Sequence, residues 1–76
     1  MPRYCVDGES QPNGDHVVHN LESCSHLPDR ASRLDLGEHE SCIDAVAKAR
    51  VLYKQANGCW ICSRACYRHN RQAMAS

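Results

Sequence analysis

The sequence predicts an α+β fold in which a small three-stranded antiparallel sheet packs on one helix and is stapled by a zinc site. Three observations lead there. The chain has 76 residues, a size at which a domain buries only roughly 60% of its unfolded surface. Leu, Ile, Val and Phe together number 12, less than the roughly 20% of the chain below which a packed core is hard to build, so a disulfide or a metal has to supplement the core. Six Cys and five His supply the material, and one helical apolar stripe follows three short alternating stretches.

The first strand is Arg3-Tyr4-Cys5-Val6, followed by a turn-rich segment whose Asn13-Gly14 pair is a hairpin signal. Asp15 to Leu21 reads as the second strand, with Val17, His19 and Leu21 on one face, assigned to the core, and His16, Val18 and Asn20 on the other. Arg33 to Gly37 reads as the third, with Leu34 and Leu36 sharing a face. The helix is expected from about Cys42 to Ala56. Ser41 with Asp44 resembles a capping box, Asn57-Gly58 supplies a left-handed stop, and Cys42, Val46, Ala49, Tyr53 and Ala56 form one stripe flanked by Ile43. The expected core is Tyr4, Val6, Val17, Leu21, Leu34, Leu36, Ile43, Val46 and Tyr53. Residues 1–67 form the domain and 68–76 a flexible tail.

Several functions are excluded by composition. No run of about 18 apolar residues offers a membrane span, and no Gly-rich phosphate loop or Gly-x-Ser-x-Gly elbow occurs. The N-terminus has no apolar stretch of signal-peptide length, which places the chain in a reducing cytoplasm where metal outranks disulfide. The net charge of zero conceals a dipole. Nine acids against Arg3, Arg30 and Arg33 leave residues 1–44 at −6, while six basic residues and no acid give 45–76 a charge of +6.

Cys59-x2-Cys62 is half of a zinc site, because a tight turn at that spacing aims two sulfurs at one ion. The other half is assigned to Cys24 and His19, giving the ligand set His19, Cys24, Cys59 and Cys62. Cys66 and His26 are the alternatives for the fourth position. Cys42, on the buried stripe, reads as a small buried hydrophobe, with a redox or ligand role as its alternative. Cys5 reads as a bystander whose replacement by Ser is nearly silent, and His16, His39 and His69 read as solvated. A thioredoxin-like dithiol is set aside because Cys59 follows a helix end, an iron–sulfur cluster because the Cys59, Cys62, Cys66 spacing departs from ferredoxins, and a cysteine nucleophile because the core is too small for a pocket. No enzymatic activity is expected.

Two resemblances bear on these residues. Val18-His19…Cys24-x2-Leu27-Pro28, Ser41-x3-Ala45 and Gly58-Cys59-x2-Cys62 are similar to the Ada-type metal-binding modules of bacteria, which implies zinc held in a small α+β fold. Here four residues rather than three separate His19 from Cys24, and His replaces the methyl-accepting Cys, so the methyl-acceptor role is not carried over. Tyr4-x-Val6, Gln11-x2-Gly14-Asp15-His16-x-Val18-His19, Cys24-Ser25-His26-Leu27-Pro28, Leu36-Gly37, Cys42-x2-Ala45-Val46 and Gly58-Cys59-x2-Cys62-x3-Cys66 resemble a group of small uncharacterised bacterial proteins along nearly the whole chain.

The expected role is a zinc-stapled adaptor for a protein or nucleic acid, with Lys48, Lys54, Arg64, Arg68 and Arg71 meeting phosphates and Trp60 and Tyr67 stacking on bases. The alternative is a redox-responsive protein in which Cys59, Cys62 and Cys66 exchange thiol and disulfide states. A disulfide-stapled exported domain is a third reading.

Overall fold

The computed structural model describes residues 1–68. It has strands β1 (Arg3–Asp7) and β2 (His16–Asn20), a 3-10 turn (Arg30–Ser32), strand β3 (Arg33–Glu38), helix α1 (Cys42–Leu52), strand β4 (Ala56–Gly58) and a second 3-10 turn (Arg64–Cys66). The α+β class and single helix match the expectation. The sheet does not: it has four strands in the order β3-β1-β2-β4. β1 is antiparallel to β2 and β3, and β4 is parallel to β2.

The fourth strand exists because the helix stops early. Tyr53 ends it with extended backbone (φ −134°, ψ 119°), and its N–H still donates to Ala49 O. Val51 is 85% and Leu52 53% exposed, so the last residues of the helix add little burial of their own. Asn57-Gly58 is no left-handed stop, since among the described residues only Gly14 and Gly37 have positive φ. Instead the His16 N–H donates to Gln55 O (2.7 Å) and the Cys59 N–H to Val18 O (2.9 Å), and Ala56–Gly58 aligns beside β2. Connecting parallel strands needs a long crossover, and β3 with α1 lies within it.

The core lies between α1 and one sheet face. Tyr4, Val6, Val18, Leu36 and Ala56 meet Cys42, Ala45, Val46 and Ala49, with small helix residues allowing close approach to the sheet. Val18 is fully buried, so alternation places Val17 and His19 on the sheet face away from the helix. The expected core therefore loses Val17, along with Ile43 and Leu34, which are 68% and 45% exposed. Leu21 is only half-buried. Tyr53 packs at the core's edge and stacks on His16 at 3.8 Å between ring centroids. The register of β3 on β1 shifts between Tyr4↔Gly37 and Cys5↔Asp35. Gly37 takes φ +83° there, forming a bulge that turns Leu36 into the core. Ser41 caps α1 as expected, its Oγ accepting from the Ile43 N–H at 3.3 Å.

A disulfide joins Cys42, at the start of α1, to Cys66 in the second 3-10 turn, across a sequence separation of 24. This corrects two readings: Cys42 is not merely a buried hydrophobe, and Cys66 is unavailable as a metal ligand. A loop of this length constrains the unfolded chain by about 3.5 kcal/mol in the chain-entropy account. At the boundary of the expected tail, Arg68 is held by Asn57, whose Oδ1 accepts from the Arg68 N–H (2.9 Å) and whose Nδ2 donates to Arg68 O (2.6 Å). The remainder of that tail, with His69 and Arg71, lies outside the described residues.

Val18→Ala is expected to lower stability by about 2 kcal/mol through lost burial and a cavity, while Val51→Ala stays within about 0.5 kcal/mol of the parent. Urea unfolding midpoints test the pair, and equal midpoints would contradict this packing.

Candidate metal centre

The sheet face opposite α1 is where the chemistry-bearing residues meet. His19 projects there from β2, and its cross-strand partner is Cys5 of β1. Beyond β2 the chain folds back, with the Ser23 and Cys24 N–H groups both donating to Asn20 O (3.4 and 3.0 Å). That turn returns Cys24 to the end of β2. Parallel pairing brings the end of β4 to the same place, and the Ser63 N–H closes the turn after it by donating to Cys59 O at 2.9 Å. Gly58 is required before this turn: a Cβ there would lie 2.7 Å from Cys66 Cβ and 2.8 Å from Ser63 O.

One ligand atom from each of His19, Cys24, Cys59 and Cys62 lies within 4.8 Å of every other, a group that could hold a metal ion. Cys24 Sγ is 3.4 Å from His19 Nδ1 and 3.9 Å from Cys59 Sγ, and Cys62 Sγ is 4.0 Å from His19 Nδ1. A tetrahedron with Zn–S bonds of about 2.3 Å and a Zn–N bond of about 2.0–2.1 Å has edges of about 3.8 Å between sulfurs and about 3.6 Å from sulfur to nitrogen. The donor set fits such an ion in spacing as well as in chemistry.

Each sulfur also accepts one backbone N–H: Asn20 to Cys62 (3.2 Å), Ile61 to Cys59 (3.4 Å) and His26 to Cys24 (3.4 Å). A thiolate is the form that binds metal. Burial pushes the Cys62 thiol up to about 12 against the opposing Asn20 N–H. Burial also lowers the His19 pKa, partly offset by Asp7, a direction that favours the neutral imidazole a ligand has to present.

No protein-family model matches the chain, and no curated protein or solved structure matches it. The site's chemistry therefore rests on its own geometry. Three thiols and one imidazole offer four potential ligands, the number a closed tetrahedral site would use.

The alternative ligands are elsewhere. His26 is exposed, its ring Nδ1 lies 2.9 Å from Ser25 Oγ, and it serves Cys24 through its backbone instead. His16 and His39 are not simply solvated. His16 Nδ1 lies 2.9 Å from Asp7 O, and His39 Nε2 lies 2.7 Å from Leu36 O with its ring edge-on to Tyr4. Cys5, read as a bystander, is fully buried. Its thiol is pushed up to about 11, chiefly by burial, so it is a neutral apolar neighbour of His19. Alternation in β1 already set Cys5 opposite Tyr4 and Val6; the missing signal was the β1–β2 register.

Cys5→Ser is accordingly expected to cost about 1–3 kcal/mol, the penalty for a hydroxyl placed where a weakly polar thiol sits dry. Chemical denaturation with Ser25→Ala as an exposed control tests this, and equal stability of the two variants would refute it.

Proposed function

We propose that His19, Cys24, Cys59 and Cys62 hold one structural Zn²⁺ and that the stapled domain is a non-enzymatic adaptor, as the Ada-type resemblance also implies for the metal. The carrying observation is the convergence of four ligand atoms within 4.8 Å. Thiolate and imidazole donors with four-fold coordination select zinc among common divalent ions. Three thiolates with a neutral imidazole leave the centre formally −1.

The adaptor reading is supported by what the Cys59–Cys62 turn displays. Trp60, inside that turn, is 57% exposed, Arg64 lies over its ring at 4.5 Å, and Tyr67 meets it edge-on at 5.3 Å. A cleft of about 510 Å³ beside the site is walled by Trp60 and Tyr67. Lys48, Lys54, Arg64 and Arg68 are exposed, and among the described residues the ion pairs involve only Arg3, with Asp35 (2.8 Å) and Glu38 (3.8 Å). An aromatic platform with unpaired cations suits single-stranded nucleic acid. Among the described residues no helix is long and apolar enough to cross a membrane. A cytoplasmic setting is part of the proposal.

A second reading, a redox-responsive thiol protein, is favoured by the Cys42–Cys66 disulfide. Its pair differs from the Cys59, Cys62, Cys66 set expected from sequence.

Native mass spectrometry with metal analysis should find one zinc per chain. Spreading the apparent ~10–16 kcal/mol of a structural site over four ligands gives about 3 kcal/mol each, so Cys59→Ser should raise the zinc Kd by about 100-fold or more. Affinity should fall as pH falls, because protons compete for the thiolates. A chain that folds identically with and without chelator, and takes up no zinc, would overturn the metal assignment. For the adaptor, Trp60 fluorescence should respond to a single-stranded oligonucleotide, weakening between about 50 and 200 mM salt. No response at low salt would remove nucleic acid as the partner.

A further inference from the structure

On the helix side of the sheet, away from the proposed metal, a cleft of about 280 Å³ lies between α1 and the second 3-10 turn. Cys66 of the disulfide lines it, together with Ile43, Val46, Tyr67 and two guanidinium-bearing residues, Arg50 and Arg68. Both arginines are positioned by the fold. Arg50 Nε donates to Ala56 O at 3.4 Å, and the Arg68 backbone is fixed by Asn57. Neither pairs with a carboxylate of the described residues, and no acid lines the cleft.

We propose that this cleft is a docking site for small carboxylate-bearing thiols of the glutathione type, which open the Cys42–Cys66 disulfide by attacking Cys66. This rests on the redox reading above and deepens it. The two sulfurs are not equivalent. Cys66 is half-buried and lines the cleft, whereas Cys42 is 8% exposed, packs in the core and does not line it. Cys42 is also the first residue of an 11-residue helix, where the helix dipole stabilises a departing thiolate. Access therefore selects Cys66 as the sulfur attacked, and the helix favours Cys42 as the leaving group.

The step balances with the thiol as reductant. A thiolate RS⁻ forms a bond to Cys66 Sγ, the Cys42–Cys66 bond breaks, and its electron pair leaves on Cys42 Sγ. The product is a mixed disulfide on Cys66 and a thiolate on Cys42. A second RS⁻ attacks the outer sulfur, releasing RSSR and the Cys66 thiolate. Two thiols are oxidised to one disulfide, and the two electrons they surrender reduce the Cys42–Cys66 pair. The arginines take no part in bond making; they concentrate the anionic thiol at the sulfur, as clefts lined by one sign of charge do.

The test uses the oxidised full chain with glutathione, 2-mercaptoethanol and cysteamine as anionic, neutral and cationic probes, with rates normalised to thiolate concentration. Alkylation followed by peptide mass mapping reads the opening rate and the site of the adduct. Glutathione should react at least about tenfold faster than cysteamine at low ionic strength, with the preference shrinking as salt rises. The mixed disulfide should map to Cys66, with Cys42 alkylated. Arg50→Gln and Arg68→Gln should each reduce the preference and together abolish it, while Lys54→Gln, outside the cleft, should leave it intact; circular dichroism checks that each variant folds. Opening at equal rates by all three thiols, or an adduct on Cys42, overturns the docking site and leaves the redox reading standing. A disulfide that none of the thiols opens overturns both.

Discussion

Parallel pairing of β2 with β4 is the constraint on which the rest of this molecule depends. It is only three residues long on the β4 side, His16↔Ala56, Val17↔Asn57 and Val18↔Gly58. Yet it sets the exits of two strands side by side, and each exit leads into a turn carrying two of the four candidate ligands or their neighbours. His19 and Cys24 come from the end of β2, and Cys59 and Cys62 from the end of β4. An antiparallel β4 would send its exit to the opposite end of the sheet and leave each half-site alone. The same pairing orients Asn57 toward Asp15, its Nδ2 lying 3.1 Å from Asp15 Oδ2, so the segment after the turn is fixed as well. A three-residue strand cannot hold its place through ladder bonds alone. The disulfide through Cys66 supplies part of what the short ladder lacks, and a metal held by Cys59 and Cys62 would supply more.

The sheet then divides the molecule into two chemistries. Toward α1 it presents Tyr4, Val6, Val18, Leu36 and Ala56, a thin apolar layer whose helix partners are mainly Ala and Cys. Toward the other face it presents Cys5 and His19, beneath the sulfur cluster. The apolar layer is too thin to be the main determinant of order in residues 53–68, where few large side chains are buried. Covalent closure of the Cys42–Cys66 loop, at about 3.5 kcal/mol, acts on the helix face. Coordination, at an apparent ~10–16 kcal/mol in small zinc peptides, would act on the other. The larger of these two contributions falls where the apolar contribution is smallest.

What was legible in the sequence follows from the range of the signals. The capped start of α1 and its stripe through Ala49 were readable, because cap and periodicity act within a few turns. So was the grouping of His19 and Cys24 with Cys59-x2-Cys62, since a Cys-x2-Cys turn requires partners from elsewhere. The end of α1 was not readable. Tyr53 and Ala56 continue the helical stripe in spacing, and only tertiary hydrogen bonds from β2 convert Ala56–Gly58 into a strand. The face of β2 was misassigned for a related reason. Val17 and Val18 are equally apolar, and the choice between them depends on which side of the sheet the helix covers. The Cys42–Cys66 pairing was invisible because it joins residues brought together by the crossover and not by any local rule.

Charge completes the division. Arg3 neutralises part of the acidic half through Asp35 and Glu38 on the surface of β3, and the guanidinium beside it holds the Asp35 carboxyl below the usual carboxylate range. Residues beyond Asp44 have no acid of their own; among the described residues Arg64 lies over Trp60 in the Cys59–Cys62 turn, and Arg50 and Arg68 line the cleft at Cys66. Thiolates and disulfides both respond to that surrounding charge: a positive field favours thiolates and attracts anionic thiols. The two centres can nevertheless persist together in one short chain because the sheet separates them. Cys42 and Cys66 lie on the helix side, His19 and the three ligand sulfurs on the other, and Cys5 is sealed within the strand pair. Gly58, between the two centres, packs so closely on Cys66 and Ser63 that a Cβ there would lie 2.7 and 2.8 Å from them.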